Sequence, residues 1–259
     1  MKKIFITGGA GFIGSNVAKF HLDKKDKVVV FDNLSRNGTE TNLKWLKSIS
    51  KKSDFKVIKG DIRNFDLIKK HIKNSDVIYH MAGQVAVTTS IVNPREDFEI
   101  NALGTLNVLE AMRLYANKAV LVYASTNKVY GNFDYKNFPK KGINENQNLD
   151  FHSPYGCSKG TGDQYVRDYG RVFNLKTVVF RQSCIYGARQ FGNEDQGCVI
   201  HFIRTILSRK KLTIFGDGKQ VRDILDVSDL VKAYQLAIKI VRSGNPKIYN
   251  IVGGITNSI

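Results

Sequence analysis

The chain has little cysteine. Three residues in 259, Cys157, Cys184 and Cys198, supply neither a disulfide framework nor the paired spacing of a metal knuckle. A reduced, cytoplasmic protein is expected, with Cys157 as a packed thiol. The five histidines, His21, His71, His80, His152 and His201, are scattered, so no metal site is expected. No apolar run reaches the roughly 20 residues that cross a bilayer, and Met1-Lys2-Lys3 leads directly into a strand pattern. Neither a membrane partner nor a signal peptide is expected. Repeats and low-complexity linkers are missing too. The polar stretch from 135 to 150, with Pro139, reads as a loop.

Acidic residues are scarce as well. Forty Lys and Arg against 23 Asp and Glu leave a net charge of +17. Such a balance suits polyanions, but the lysines are spread in pairs such as Lys24-Lys25, Lys51-Lys52 and Lys140-Lys141, without interleaved aromatics. That pattern is one of solvated helix faces, and no nucleic-acid partner is expected. The positive field still raises the encounter rate with a small anion.

What is present starts at the third residue. Lys3–Thr7 is a short apolar strand, Gly8 to Gly14 follow at once, and a helical pattern runs from Asn16 to Leu22. Gly8, Gly11 and Gly14, followed by the backbone of Phe12 and Ile13, suit a turn on which a pyrophosphate rests against a helix N-terminus. The strand–loop–helix context makes this more than a chance glycine pattern. A second strand, Lys27–Phe31, ends in Asp32, 18 residues after Gly14, where a carboxylate accepts from a ribose 2′-hydroxyl. NAD is therefore expected over NADP, although Arg36 stands nearby. Asn33 adjoins this site. A third strand, Phe55–Lys59, ends at Gly60-Asp61-Ile62, and Asp61 is expected at the adenine edge. The fourth strand, 76–80, runs into Met81-Ala82-Gly83, whose small residues let a dinucleotide lie across the strand ends. A long helix is expected over 98–115, carrying Asn101 either as a buried backbone partner or as catalytic support.

The fifth strand, 119–124, leads into Ser125-Thr126-Asn127-Lys128-Val129-Tyr130-Gly131. Then comes Tyr155-Gly156-Cys157-Ser158-Lys159. In a helix, Tyr155 and Lys159 share a face. An ammonium beside a phenol lowers its pKa from about 10 and makes a proton acceptor usable near neutral pH.

These features resemble the extended short-chain dehydrogenase/reductase family, the nucleotide-sugar epimerases and dehydratases. The resemblance covers essentially the whole chain. It implies an α/β fold, a Rossmann-type doubly wound parallel sheet with a smaller C-terminal substrate lobe. The division expected is a dinucleotide domain at 1–180 interleaved with a partial substrate lobe at 181–259. Resembling chains run on some tens of residues past the strand at 249–252, so this lobe is expected to be incomplete. The resemblance further implies that Thr126 holds the reacting hydroxyl, Tyr155 acts as base, and Lys159 assists while bonding the nicotinamide ribose. Substrate contacts are expected from Thr88, Ser125, Gln182, Ser183, Arg189, Gln190 and Arg222. The last would clamp a diphosphate through its planar donors. A helix over 230–240 is expected behind a Ser228-Asp229 cap.

Dehydratases of this family carry an Asp-Glu pair beside the catalytic hydroxyl. Asn127 and Lys128 stand there instead, so elimination of water is not expected. The segments 80–90, 125–131, 181–187 and 189–197 resemble the subgroup that epimerises carbon 2 of CDP-linked deoxyhexoses. Left open are a carbon-4 epimerase of UDP-sugars and a non-catalytic NAD-binding protein. A homo-oligomer, dimer or tetramer, is expected, through the 98–115 and Tyr155 helices.

Overall fold

Alternate residues along each central strand turn to opposite faces, and here both faces are covered, which is why the strands read as unbroken apolar runs. The computed structural model describes residues 1–132, 142–192, 196–214 and 222–254. Its main sheet has seven strands, β1 (Lys3–Thr7), β2 (Lys27–Asp32), β3 (Phe55–Lys59), β4 (Val77–His80), β5 (Val120–Thr126), β6 (Lys176–Gln182) and β9 (Lys247–Ile251). Their order is β3-β2-β1-β4-β5-β6-β9, and every pairing is parallel.

Ile4, Ile6, Val28, Val30, Tyr79, Val122 and Val178 face one core. Against them pack α1 (Phe12–Asp23), α2 (Thr39–Ile49) and α9 (Val227–Ile240), through Val17, Leu46 and Tyr234 among others. Phe5, Phe31, Ile78, Leu121, Tyr123 and Val179 face the second core. It is closed by α3 (Phe65–Ile72), α6 (Gly104–Tyr115) and α7 (Ser153–Val172), through Ile68, Leu109 and Val166. Parallel neighbours need crossovers, and the helices supply them.

Three expectations change in detail. The long helix is broken into α5 (Pro94–Phe98), a π-helical turn (Glu99–Leu103) and α6, with the short α4 (Val87–Val92) before them. A π turn carries an extra residue, and such turns gather at functional sites. Helix α9 starts at Val227, and its N-cap is Asp226, whose carboxylate accepts from the Ser228 N–H; Ser228-Asp229 is not the cap. Cys157, expected to be packed, is exposed, because α7 turns that position outward. Of the loop expected over 135–150, residues 142–150 form neither helix nor strand, and the rest, with Pro139, lies outside the described residues.

Past β6 the chain forms β7 (Cys184–Tyr186) and β8 (Ile224–Asp226), a two-stranded parallel sheet, and α8 (Cys198–Leu207). Then α9 and β9 return to the main sheet.

Candidate active site

Strand order reverses between β1 and β4, and open parallel sheets bind ligands outside the strand ends at such a switch point. A cavity of about 650 Å³ opens there. It extends from Asp32 and Asp61 at one end, past the glycine loop and Ala82-Gly83, to Thr126, Tyr155 and Lys159, and on to Gln182, Ser183 and Gln190.

The first end fits a dinucleotide. Gly8 has φ +67°, and a Cβ on it would lie 2.6 Å from the Ala82 backbone nitrogen. A Cβ on Gly14 would lie 2.2 Å from the Gly8 carbonyl oxygen. Only glycine lets α1 pack so tightly on β1. Gly11 caps α1 with no side chain on the first-turn N–H groups, so those of Phe12, Ile13 and Gly14 are left for an anion. Asp32 ends β2, buried, its carboxylate accepting from the N–H of Ala10 at 2.9 Å and of Leu34 at 2.8 Å. Burial raises its pKa, while those two N–H groups oppose the rise. Asp61 is held at a pKa of about 2 chiefly by its bond to Arg63; Asn33 also donates to it, at 3.1 Å. Ile62 lines the cavity beside it. Arg36 makes no hydrogen bond to Asp32, although each feels the other's charge. Its guanidinium reaches the Gln196 side-chain oxygen, and its charge is felt by Tyr155.

At the middle of the cavity one expectation is corrected. The Lys159 ammonium makes no hydrogen bond to Tyr155. It donates to the Ala124 carbonyl at 2.6 Å and lies 4.3 Å from the centre of the Tyr123 ring. The shared helical face is real, but a strand-end carbonyl is the stronger partner for a buried ammonium. Burial pushes the Tyr155 hydroxyl up to about 12, against the pull of its hydrogen bond with Thr126 and of Arg36. Burial also brings Lys159 down to about 8, while Asp163 and Asp97 oppose the fall.

Several partners here were not picked out from the sequence. Asp163, one turn after Lys159, makes a bidentate pair with Arg181, both N···O distances 2.9 Å, with both side chains fully buried. Ser125 donates to the same carboxylate at 2.8 Å, so its hydroxyl is already engaged. Arg181 also donates to the Tyr130 hydroxyl, which donates to Asn250 on β9. The i, i+4 step from Lys159 to Asp163 was the available signal. Asn101 exchanges hydrogen bonds with the Gln84 backbone and reaches Ser158 on α7, so it is the buried backbone partner.

At the far end Gln182 donates to the Tyr234 hydroxyl at 2.7 Å. The Ser183 hydroxyl and the Gln190 side-chain oxygen are buried without protein partners, and both residues line the cavity. Arg189 lines it too, its guanidinium 4.0 Å from the centre of the Trp45 ring. Two expected contacts are not on the lining. Thr88 is exposed on α4, where its neighbour Thr89 faces the cavity; Arg222 is exposed at the approach to β8. A helix shows adjacent residues to different sides, so Thr89 and not Thr88 reaches the lining. Residues 193–195 of the segment 189–197 lie outside the described residues. Among the described residues no His, Cys, Asp or Glu cluster suits a metal, and no helix is long and apolar enough to cross a membrane.

Residues 4–252 match the model of the NAD dependent epimerase/dehydratase family. CDP-paratose 2-epimerase of Salmonella typhi is 47% identical, over 99% of this chain and 80% of that protein. UDP-N-acetylglucosamine 4-epimerase of Methanobrevibacter ruminantium, solved with UDP-N-acetylmuramic acid, superposes with a TM-score of 0.87 at 27% identity, covering 100% of this chain and 78% of that one. UDP-glucose 4-epimerase of Thermus thermophilus, solved with NAD, gives 0.81 at 30% identity, covering 96% and 77%. Fold, glycine cradle, Asp32 and family model agree: the chain belongs to the NAD-dependent epimerase/dehydratase family, with NAD as its cofactor.

Proposed function

We propose that this protein is a nucleotide-sugar epimerase that inverts carbon 2 of a CDP-linked deoxyhexose, interconverting CDP-paratose and CDP-tyvelose. The observation that carries the reading is the placement of Thr126, Tyr155 and Lys159 on one cavity wall beyond the cofactor end, with no carboxylate at 127 or 128. The 47% identity to CDP-paratose 2-epimerase supplies the nucleotide and the carbon.

NAD, when bound, supplies a reversible hydride acceptor. The chain handles the proton and the position. Tyr155 takes the proton from the sugar hydroxyl at the carbon being inverted and returns it later. Its hydrogen-bond partner Thr126 holds the same oxygen. Lys159 lines the same cavity, its ammonium held on the Ala124 carbonyl, and would bond the nicotinamide ribose and so set the hydride acceptor against Tyr155. Inversion requires the oxidised sugar to present its other face before the proton returns, so the nucleotide must stay anchored while the sugar turns. The unpartnered Ser183 hydroxyl and Gln190 oxygen are suited to that anchoring. A carboxyl acid to expel a hydroxide is wanting among the described lining. Its carboxylates, Asp32, Asp61 and Glu96, belong to the adenosine end or to Arg63. Epimerisation is therefore favoured over dehydration.

The reading includes a homodimer formed through α6 and α7. Exposed Leu103, Leu114, Tyr165 and Val172 on or beside these helices support it, and light scattering on the purified chain tests it. The function is tested by incubating the protein with CDP-paratose and with UDP-glucose, without added NAD, and following the anomeric proton signals. Interconversion of CDP-paratose with its carbon-2 epimer is expected. Turnover of UDP-glucose alone would move the assignment to carbon 4, and turnover of neither would overturn it.

A further inference from the structure

Cys184 and Cys198 have no part in that proton chemistry, yet their sulfurs are 3.9 Å apart. Cys184 opens β7 and lines the cavity; Cys198 is the first residue of α8, after Gly197 at φ +80°. A disulfide needs about 2.05 Å, so the sulfurs must close a little under 2 Å to bond.

The two thiols are unequal. Cys198 is in hydrogen-bond contact with Cys184 and with the Val199 N–H at the head of the helix, and the Arg222 charge lies close by. All three favour a thiolate at Cys198. The contact with Cys198 and burial push the Cys184 thiol up, so it keeps its proton. One is placed to attack and the other to resolve. The third cysteine, Cys157, is exposed on α7 and takes no part in this contact.

We propose that Cys184 and Cys198 form a reversible disulfide by exchange with a low-molecular-weight disulfide such as oxidised glutathione, tying β7 to α8 at the substrate end of the cavity. The Cys198 thiolate attacks one sulfur of the oxidant, releasing one thiolate and forming a mixed disulfide. The Cys184 sulfur, giving its proton to the solvent or to that departing thiolate, then attacks the Cys198 sulfur and releases the second. Two protein thiols are oxidised, one small disulfide is reduced to two thiols, and no other reactant is needed. The bond would fix β7 to the start of α8, beside Arg189 and Gln190 on the cavity lining. The inference concerns thiol chemistry alone and does not depend on which sugar is bound.

The test uses the full chain carrying Cys157→Ser, incubated with oxidised glutathione at mildly alkaline pH, quenched with a maleimide and mapped by mass spectrometry. Both thiols are expected to disappear together, leaving a peptide pair linked 184 to 198, free of glutathione and reopened by dithiothreitol. Adding Cys184→Ser should trap glutathione on Cys198. Adding Cys198→Ser should slow reaction at Cys184 by at least about tenfold. Glutathione retained on Cys198 while Cys184 is present would overturn the proposal. So would two thiols that stay free while the Cys184→Ser chain reacts.

Discussion

The two ends of the cavity are built by different means. The cofactor end is backbone and strand termini: Gly8 and Gly14 leave no room for a Cβ, and the Asp32 carboxylate already holds two N–H groups. The substrate end is side chains reaching in from distant segments, with the Ser183 hydroxyl and the Gln190 oxygen still unpaired. Helix α8, which follows the lining residues Gln196 and Gly197, has no buried residue. A shape common to every dinucleotide can be fixed by local packing. A site that must hold one nucleotide and let its sugar turn keeps its polar groups for the ligand. The division predicts that the two ends fail separately.

The sharpest break comes from Tyr155→Phe. Turnover should fall by about 10²- to 10⁴-fold, the usual worth of a positioned acid–base group, while NAD still copurifies. Absorbance of released cofactor and single-turnover assays read the two properties on one sample. Loss of both together would mean that the ends are one unit. Asp163→Ala comes next. It leaves Arg181 charged, buried and unpaired, which typically costs about 3–5 kcal/mol; urea unfolding should show it as a lower midpoint. A shift below about 1 kcal/mol would mean that the pair does not hold β6 and β9 in place behind the substrate end.

Gly8→Ala addresses the other end. The new Cβ meets backbone at 2.6 Å in a left-handed conformation, so about 1–3 kcal/mol of stability and most of the bound NAD should be lost. Turnover per molecule that still holds NAD should be unchanged. If it falls as well, the glycine loop reaches the chemistry.

This division also separates what the sequence could tell from what it could not. The strands, the glycine cradle and Asp32 were legible because each is set by neighbours in the chain: a run of apolar residues, a spacing of glycines, an acid at a strand end. Tyr155 and Lys159 were legible as a pair on one helical face. Where the Lys159 ammonium goes was not, since the Ala124 carbonyl that takes it is 35 residues away and is reached only when β5 and α7 pack together. The Asp163–Arg181 pair, the reach of Arg36 to Gln196 and the contact of Cys184 with Cys198 join partners separated in the same way. Periodicity orients a side chain; it does not supply the partner at the other end. Thr88 fell one place from the lining Thr89 because the short α4 had not been placed.

The smallest expected effect is in the dependence of stability on pH, and it asks how dry the middle of the cavity is. Burial lowers Lys159 to about 8 in the folded chain, whereas the unfolded chain keeps the ordinary lysine value near 10.4. Between those values the unfolded state holds a proton that the folded state has released. The unfolding free energy due to this residue therefore rises with pH across that window. It is flat and at its lowest below about 8, and flat and at its highest above about 10.5. Urea unfolding of the wild type and of Lys159→Met, each at pH 7.5 and 9.5, isolates the term from the many other lysines. The wild type should gain on the order of 1–2 kcal/mol relative to the variant over that interval. Parallel curves would mean that water reaches Lys159, and the cavity would then be open down to the floor of the sheet rather than sealed at Tyr155 and Thr126.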